Sequence, residues 1–239
     1  MPHKIKLGVT AGPHADILAY LKAPAAQEGI DLEIIEFNDF ILPNAALDQE
    51  EIDANIYQHQ VFLDDQISTR GYQLIPVAKT ILLPMGIYSH KHKNLQSLET
   101  NSRVAIPNDP TNGGRALLLL EKNGLIRLNP ESGSNPSPLD VIENPKHIEL
   151  IEMEAPQLPR TLEEVDLAVI NTDWVLLSGL DPSEALASEG SSSPYVNLIV
   201  AKKGKENNNI LQKFIKMYQS PSTKKFIQEK FGKAILAAW

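Results

Sequence analysis

The sequence predicts an α/β protein organised as two lobes. Three observations carry that expectation. β-rich runs and runs with helical spacing alternate through the first eighty residues. The alternation begins again near Arg103. Two long extended segments, near 78–90 and 194–202, are where a chain of 239 residues could cross between two α/β units. Such alternation implies a largely parallel sheet covered on both faces, because each parallel connection needs a crossover. The expected division is 1–83 with 198–239 as lobe 1, and 84–197 as an inserted lobe 2.

The elements follow in order. "KIKLGVTAG" alternates and is β-rich, and Gly12-Pro13 ends it in a turn. "HADILAYLKAPAAQEG" sets Ile17, Leu18, Leu21 and Ala25 at helical spacing. "DLEIIEF" is a second strand, "LPNAALDQEEI" a short helix opened by Pro43, and "IDANIYQ" a brief strand. "HQVFLDDQISTRG" is a helix stopped by Gly71. "YQLIPVAKTILLPMGIYSH" reads as one long extended stretch interrupted by Pro76 and Pro84. In the second half come a strand "RVAIPND", a helix over 110–123, a strand "IELIEME", a short helix "TLEEV", a strand "DLAVINT" and a helix "DWVLLSG". "PYVNLIVAKKG" is extended, and two helices close the chain. The loop "NPESGSNPSPLD" is polar and expected at a surface.

Composition narrows the classes. Hydrophobic residues are 42% and charged residues 22%, ordinary for a soluble globular chain. The net charge of −8 argues against a nucleic-acid partner, which needs a basic face. With no cysteine, disulfides, thiolate catalysis and Cys-based zinc sites are excluded. The apolar runs fall short of the ~20 residues of a membrane span. "MPHKIKLGVTAG" lacks an apolar signal core, so either the protein is cytosolic or an export segment has been replaced by a start methionine. No G-x-S-x-G or H-E-x-x-H pattern occurs, and no catalytic residue, metal site or cofactor is assigned.

Four stretches carry candidate chemistry. In "NDPTNGGR", Asp109 is a natural N-cap and Pro110 suits the first helical position. The first-turn amides favour an anion, Gly113 and Gly114 add little bulk, and Arg115 offers a planar fork that matches a carboxylate. The pattern leaves equally open a plain capped helix whose arginine pairs with an acid. "DANIYQHQVF" puts Tyr57 and His59 on one face of a strand, with Phe62 a turn on. Packed residues are the ordinary reading, and a pocket wall is the alternative. "SHKHK" has no third metal ligand near His90 and His92 and reads as a solvated edge. Asn171 fits a turn, whereas Asn197, inside apolar "YVNLIV", needs a hydrogen-bonding partner.

Together "FNDFILPNAAL…IDANIYQHQVFLD", "VAIPNDPTNGGRALLLLEKNGLI", "EAPQLPR…LAVINT", "SPYVNLIV" and terminal "AAW" resemble the MetQ/NlpA family, the substrate-binding lipoproteins of bacterial methionine ABC importers. The resemblance runs from about Ile5 to Trp239. It implies a two-lobed periplasmic-binding-protein fold of type II, with crossing strands and a free amino acid, usually L-methionine, in the cleft. By position, Arg115 would grip the α-carboxylate, with Asn112 at the same end. Asn171 and Asn197 would hold the head group from the far lobe. His59, Tyr57, Phe40 and Phe62 would enclose the thioether. The family often has Tyr in place of Phe40 and Phe in place of Tyr57, which implies a hydroxyl moved to the other wall.

The resemblance further implies a monomer in the cell envelope that delivers its ligand to an ABC permease. The membrane would be reached only through an N-terminal lipid anchor, with the signal and lipobox outside this chain. Two other classes compete. A small-carboxylate lyase or transferase on the same fold would use His59 as acid or base. A regulator's sensing module would need a helix-turn-helix, and no room for one precedes the first strand.

Overall fold

In the computed structural model, which describes all 239 residues, the chain begins β1 (His3–Thr10), α1 (Pro13–Gln27), β2 (Ile30–Phe37), α2 (Leu42–Asp48), β3 (Ala54–His59), α3 (Gln60–Arg70), β4 (Leu74–Lys79) and β5 (Ile81–Leu82). It continues through β6 (Gly86–Tyr88), β7 (Arg103–Pro107), α4 (Pro110–Lys122), β8 (Arg127–Leu128), β9 (Val141–Glu143), β10 (Glu149–Met153), β11 (Leu167–Ile170), α5 (Thr172–Leu177) and β12 (Ala187–Ser188). It ends with β13 (Asn197–Lys202), α6 (Asn209–Tyr218), α7 (Pro221–Phe231) and β14 (Leu236–Ala237). No helix is long and apolar enough to cross a membrane.

The chain divides into Met1–Leu83 with Ser193–Trp239, and Pro84–Ser192. The return to the first unit lies at Ser193 rather than at 198. The reason is that Asn197 opens β13 and pairs with His59, so it belongs to the first unit's sheet and not to the second unit.

The first unit's sheet has the order β2-β1-β3-β13-β4. β1 runs parallel to β2 and β3, while β13 lies antiparallel between β3 and β4. Helix α1 buries Ile17, Leu18, Leu21 and Ala25, the stripe that its spacing predicted. Each large apolar side chain contributes about 1.5–3 kcal/mol through burial. Helix α3 starts at His59 and stops at Gly71, whose φ of 72° is the left-handed cap that glycine adopts without strain.

The second unit's sheet has the order β10-β7-β11-β6-β12. β7 runs parallel to β10 and β11, and β6 is antiparallel to β11 and β12. Leu117, Leu119 and Leu120 of α4 pack on Val104, Ile106, Leu167 and Val169.

Both sheets are mixed rather than largely parallel, because β13 and β6 enter with reversed direction. The expected single stretch over 72–90 is three strands, broken at Thr80 and at Leu83–Met85. Pro76 is tolerated because β4 is an edge strand with one ladder to satisfy. The expected short helix "TLEEV" is instead the end of a run of 3₁₀ turns over Ala155–Glu163. The carboxyl ends of β1, β2, β3, β7 and β11 carry His14, Phe40, His59, Asp109–Arg115 and Asn171, the side of such sheets where ligands bind.

Candidate functional site

In the first unit, the β3–β13 ladder sets the geometry. Asn197 pairs with His59 and Leu198 with Gln58, but Ile199 pairs with Ile56, so the register skips Tyr57. This β-bulge re-aims the strand's side chains. Tyr57 and Phe62 rings then meet edge to face at 5.8 Å, and Phe40 lies 6.1 Å from Tyr57 and 6.2 Å from Phe62. Asp39 holds the loop that presents Phe40 by accepting from the amides of Ile41 and Leu42 at 2.7 and 2.8 Å. Phe40 and Tyr57 are neighbours in one unit.

His59 is the N-cap of α3. Its Nδ1 accepts from the Phe62 amide at 3.1 Å, so in the neutral ring Nε2 carries the proton. Tyr195 packs on His59 at a ring separation of 5.0 Å. The Asn197 amide nitrogen contacts His14 Nε2 at 2.9 Å and donates to the Tyr57 carbonyl at 3.1 Å. The sequence called for such a partner, and the structure supplies two.

In the second unit, the Asp109 carboxylate accepts from the Asn112 amide at 2.9 Å and from the Asn112 side chain at 3.0 Å. Burial raises the Asp109 pKa, while these donors oppose the rise. The helix N-terminus is thus already served by its own carboxylate. Of the first-turn amides expected to favour an anion, that of Asn112 is taken by Asp109. Gly113 and Gly114 also have another role. A Cβ on Gly113 would lie 2.8 Å from the Pro107 carbonyl, and one on Gly114 would lie 3.1 Å from Asn135 and Pro136. Gly113 admits the end of β7, and Gly114 admits the loop between β8 and β9.

Arg115 is only 4% exposed. Its Nε donates to Glu189 at 2.9 Å and its Nη2 at 2.5 Å, a bidentate pair that does not use Nη1. Glu189 also accepts from the Met85 amide at 2.7 Å. Of the two readings of Arg115, the structure shows the pairing with an acid, and it buries the guanidinium. Asp173, fully buried on α5, has its pKa pushed up to about 6 by desolvation, against the pull of the Trp174 amide and the Arg115 charge.

Asn112 and Asn171 are joined. Because the Asn112 amide nitrogen faces Asp109, its Oδ1 accepts from Asn171 at 3.2 Å. That orients the Asn171 amide and leaves its Oδ1 buried with no hydrogen-bond donor. Asn171 sits at the N-cap of α5, yet its side chain caps nothing. The turn reading accounts for its backbone and not for its amide.

The sequence profile of the NlpA lipoprotein family matches residues 5–239. The chain belongs to the NlpA lipoprotein family. The D-methionine-binding lipoprotein MetQ of Salmonella typhimurium is 43% identical over 242 residues, covering 100% of this chain and 89% of that protein. A nutrient-binding protein from Burkholderia cenocepacia, solved bound to methionine, is 42% identical with a TM-score of 0.95, covering 98% of this chain and 100% of its own. An ABC-transporter periplasmic substrate-binding protein from Coxiella burnetii is 38% identical with a TM-score of 0.94, covering 98% and 100%. The fold of this NlpA-family chain is accordingly that of periplasmic substrate-binding proteins.

Four residues of the NlpA-family chain escaped the sequence reading. His14 follows β1 on the ligand-bearing side of the sheet, the signal that could have found it. Tyr195 stands two places before Asn197 in the quoted "PYVN". Glu189 lies in a polar turn 74 residues from Arg115, and Asp173 in a helix given no candidate residue, so neither gave a local signal.

Proposed function

We propose that this chain captures methionine as the substrate-binding component of an ABC importer and is not an enzyme. One observation carries the reading: the buried Oδ1 of Asn171 has no donor within the protein, in the same unit as a buried arginine held by a carboxylate. A buried acceptor without a donor is costly, and a ligand ammonium would satisfy it. Arg115 would take the α-carboxylate. Asn112 would act by orienting Asn171. Asn197 would meet the same head group, and Phe40, Tyr57, His59 and Phe62 would surround the side chain. A thioether suits such aromatic surfaces.

The enzyme alternative needs His59 as a general base, but its Nδ1 lone pair is committed to the α3 cap. The named relatives are binding proteins. Transfer to a permease, action as a monomer and a lipid anchor in the cell envelope complete the proposal. Charge-assisted hydrogen bonds at roughly 1.5–3 kcal/mol each and burial of the side chain are compatible with micromolar or tighter binding.

Calorimetry with L- and D-methionine tests the reading and assigns the enantiomer. One-to-one binding that weakens about a hundredfold in Arg115→Ala, near 2.7 kcal/mol, is expected. Unchanged affinity in that variant would remove Arg115 from the site.

A further inference from the structure

The geometry points to His14 as a positioning residue that fixes the Asn197 amide with its carbonyl oxygen turned toward the ligand. This rests on the reading that Asn197 holds the ligand's head group. The Tyr57 carbonyl oxygen can only accept a hydrogen bond. The Tyr57 carbonyl lies 3.1 Å from one terminal atom of the Asn197 side chain. That atom must be the amide nitrogen, since two facing oxygens would repel. The same nitrogen lies 2.9 Å from His14 Nε2. With Nδ2 donating, Nε2 must be an acceptor, so the His14 proton sits on Nδ1. Both Nδ2 hydrogens are thereby used, and Oδ1 is the only polar atom of Asn197 left to address a ligand.

The surroundings of His14 keep the ring neutral, and the Asn197 donor then selects the tautomer. The ring is 1% exposed at the start of α1, and burial drives its pKa down to about 3, so it stays neutral. Its Nδ1 has no partner in the protein. An unpaired buried N–H is unfavourable. The fold nonetheless retains it, as expected if the acceptor at Nε2 has a task. An apolar residue there would pack without that penalty but would leave one Nδ2 hydrogen unsatisfied and the amide held by the Tyr57 carbonyl alone. In the second unit, Asp109 and Asn112 likewise fix the Asn171 amide. A carbonyl oxygen fixed in this way is a means to select an ammonium over an uncharged or missing amine.

The test compares methionine with 4-(methylthio)butanoate, which lacks the amine. His14→Leu should weaken methionine at least tenfold, weaken the deaminated compound much less, and leave apo thermal stability unchanged or raised. His14→Gln, which keeps an acceptor, should recover part of the loss. In an Asn197→Ala background, His14→Leu should have no further effect. Equal weakening of both compounds, or additive effects in the double variant, would overturn the positioning role. Unchanged methionine affinity in Asn197→Ala would instead sink the underlying site reading. Should the leucine variant fail to fold, ¹⁵N spectroscopy of the parent's imidazole decides: a protonated Nε2 refutes the proposal, and a protonated Nδ1 supports it.

Discussion

Glu189 grips two nitrogens of Arg115 with one carboxylate while its backbone amide donates to the Met85 carbonyl at 2.9 Å. A side chain of the "SEGSSSP" turn therefore sets the plane of a guanidinium on α4. The pair is buried on both sides, at 4% and 12% side-chain exposure. Removing one member leaves the other as an uncompensated charge. Glu189→Ala should lower the stability of the ligand-free protein by about 3–5 kcal/mol, and Glu189→Gln by less, since the amide still accepts from Met85 and Arg115. Thermal unfolding without and with methionine checks this. A loss below 1 kcal/mol in Glu189→Ala would contradict it.

Asp173 links stability to pH. Its carboxyl titrates near pH 6 when folded, against 3.8 as the ordinary value. Below 3.8 both states are protonated. Between 3.8 and 6 the unfolded chain ionises first, so its stabilising contribution is lost as pH rises through 6, in all about 3 kcal/mol. Asp173→Asn should remove this dependence and be more stable than the parent at pH 7. His14 acts in the opposite sense, losing stability below its ordinary 6.5. The difference between parent and variant urea midpoints from pH 4 to 7 is therefore the quantity to measure.

Gly113 tests the packing role assigned to the glycines. The added Cβ of Gly113→Ala would press on a backbone carbonyl at 2.8 Å, which cannot swing aside. A loss of about 1–3 kcal/mol is expected from the forced shift of β7 or α4. Gly114→Ala faces contacts at 3.1 Å with a loop and should cost less. Chemical denaturation of the two variants ranks them.

A buried amide cluster under β3 should be stability-critical. Gln58 donates to Asn44 at 2.7 Å and to Asn55 at 3.0 Å and accepts from Asn44 at 2.9 Å. Gln58→Leu removes partners from both asparagines at once. At about 1–3 kcal/mol for each of two orphaned groups, a loss of about 2–6 kcal/mol is expected, read as a lower denaturant midpoint with an unchanged slope.

Much of the fold was legible because it is written locally. Gly71 marks the end of α3, and the Ile17–Ala25 spacing marks the buried face of α1. Strand direction was not, since β13 is antiparallel to β3 for reasons set 140 residues away in sequence. Asn197 announced a need for a partner, as an amide in an apolar strand must. The partner, His14, is separated by 183 residues and carries no matching pattern. The two glycines beside Arg115 misled because the same absence of a side chain serves anion access and close packing equally well. The bulge at Tyr57 has no signature in "ANIYQH".

The place of β13 between β3 and β4 also constrains how the molecule is made. The first unit's sheet lacks its second-to-last strand until residues 197–202 leave the ribosome. Until then β3 and β4 have exposed edges, a hazard for wrong pairing. The unit Pro84–Ser192, by contrast, is continuous and can finish while its host is still open. A chain truncated after Ser192 and released from the ribosome should therefore protect the inserted unit from protease and leave the earlier eighty residues cleavable.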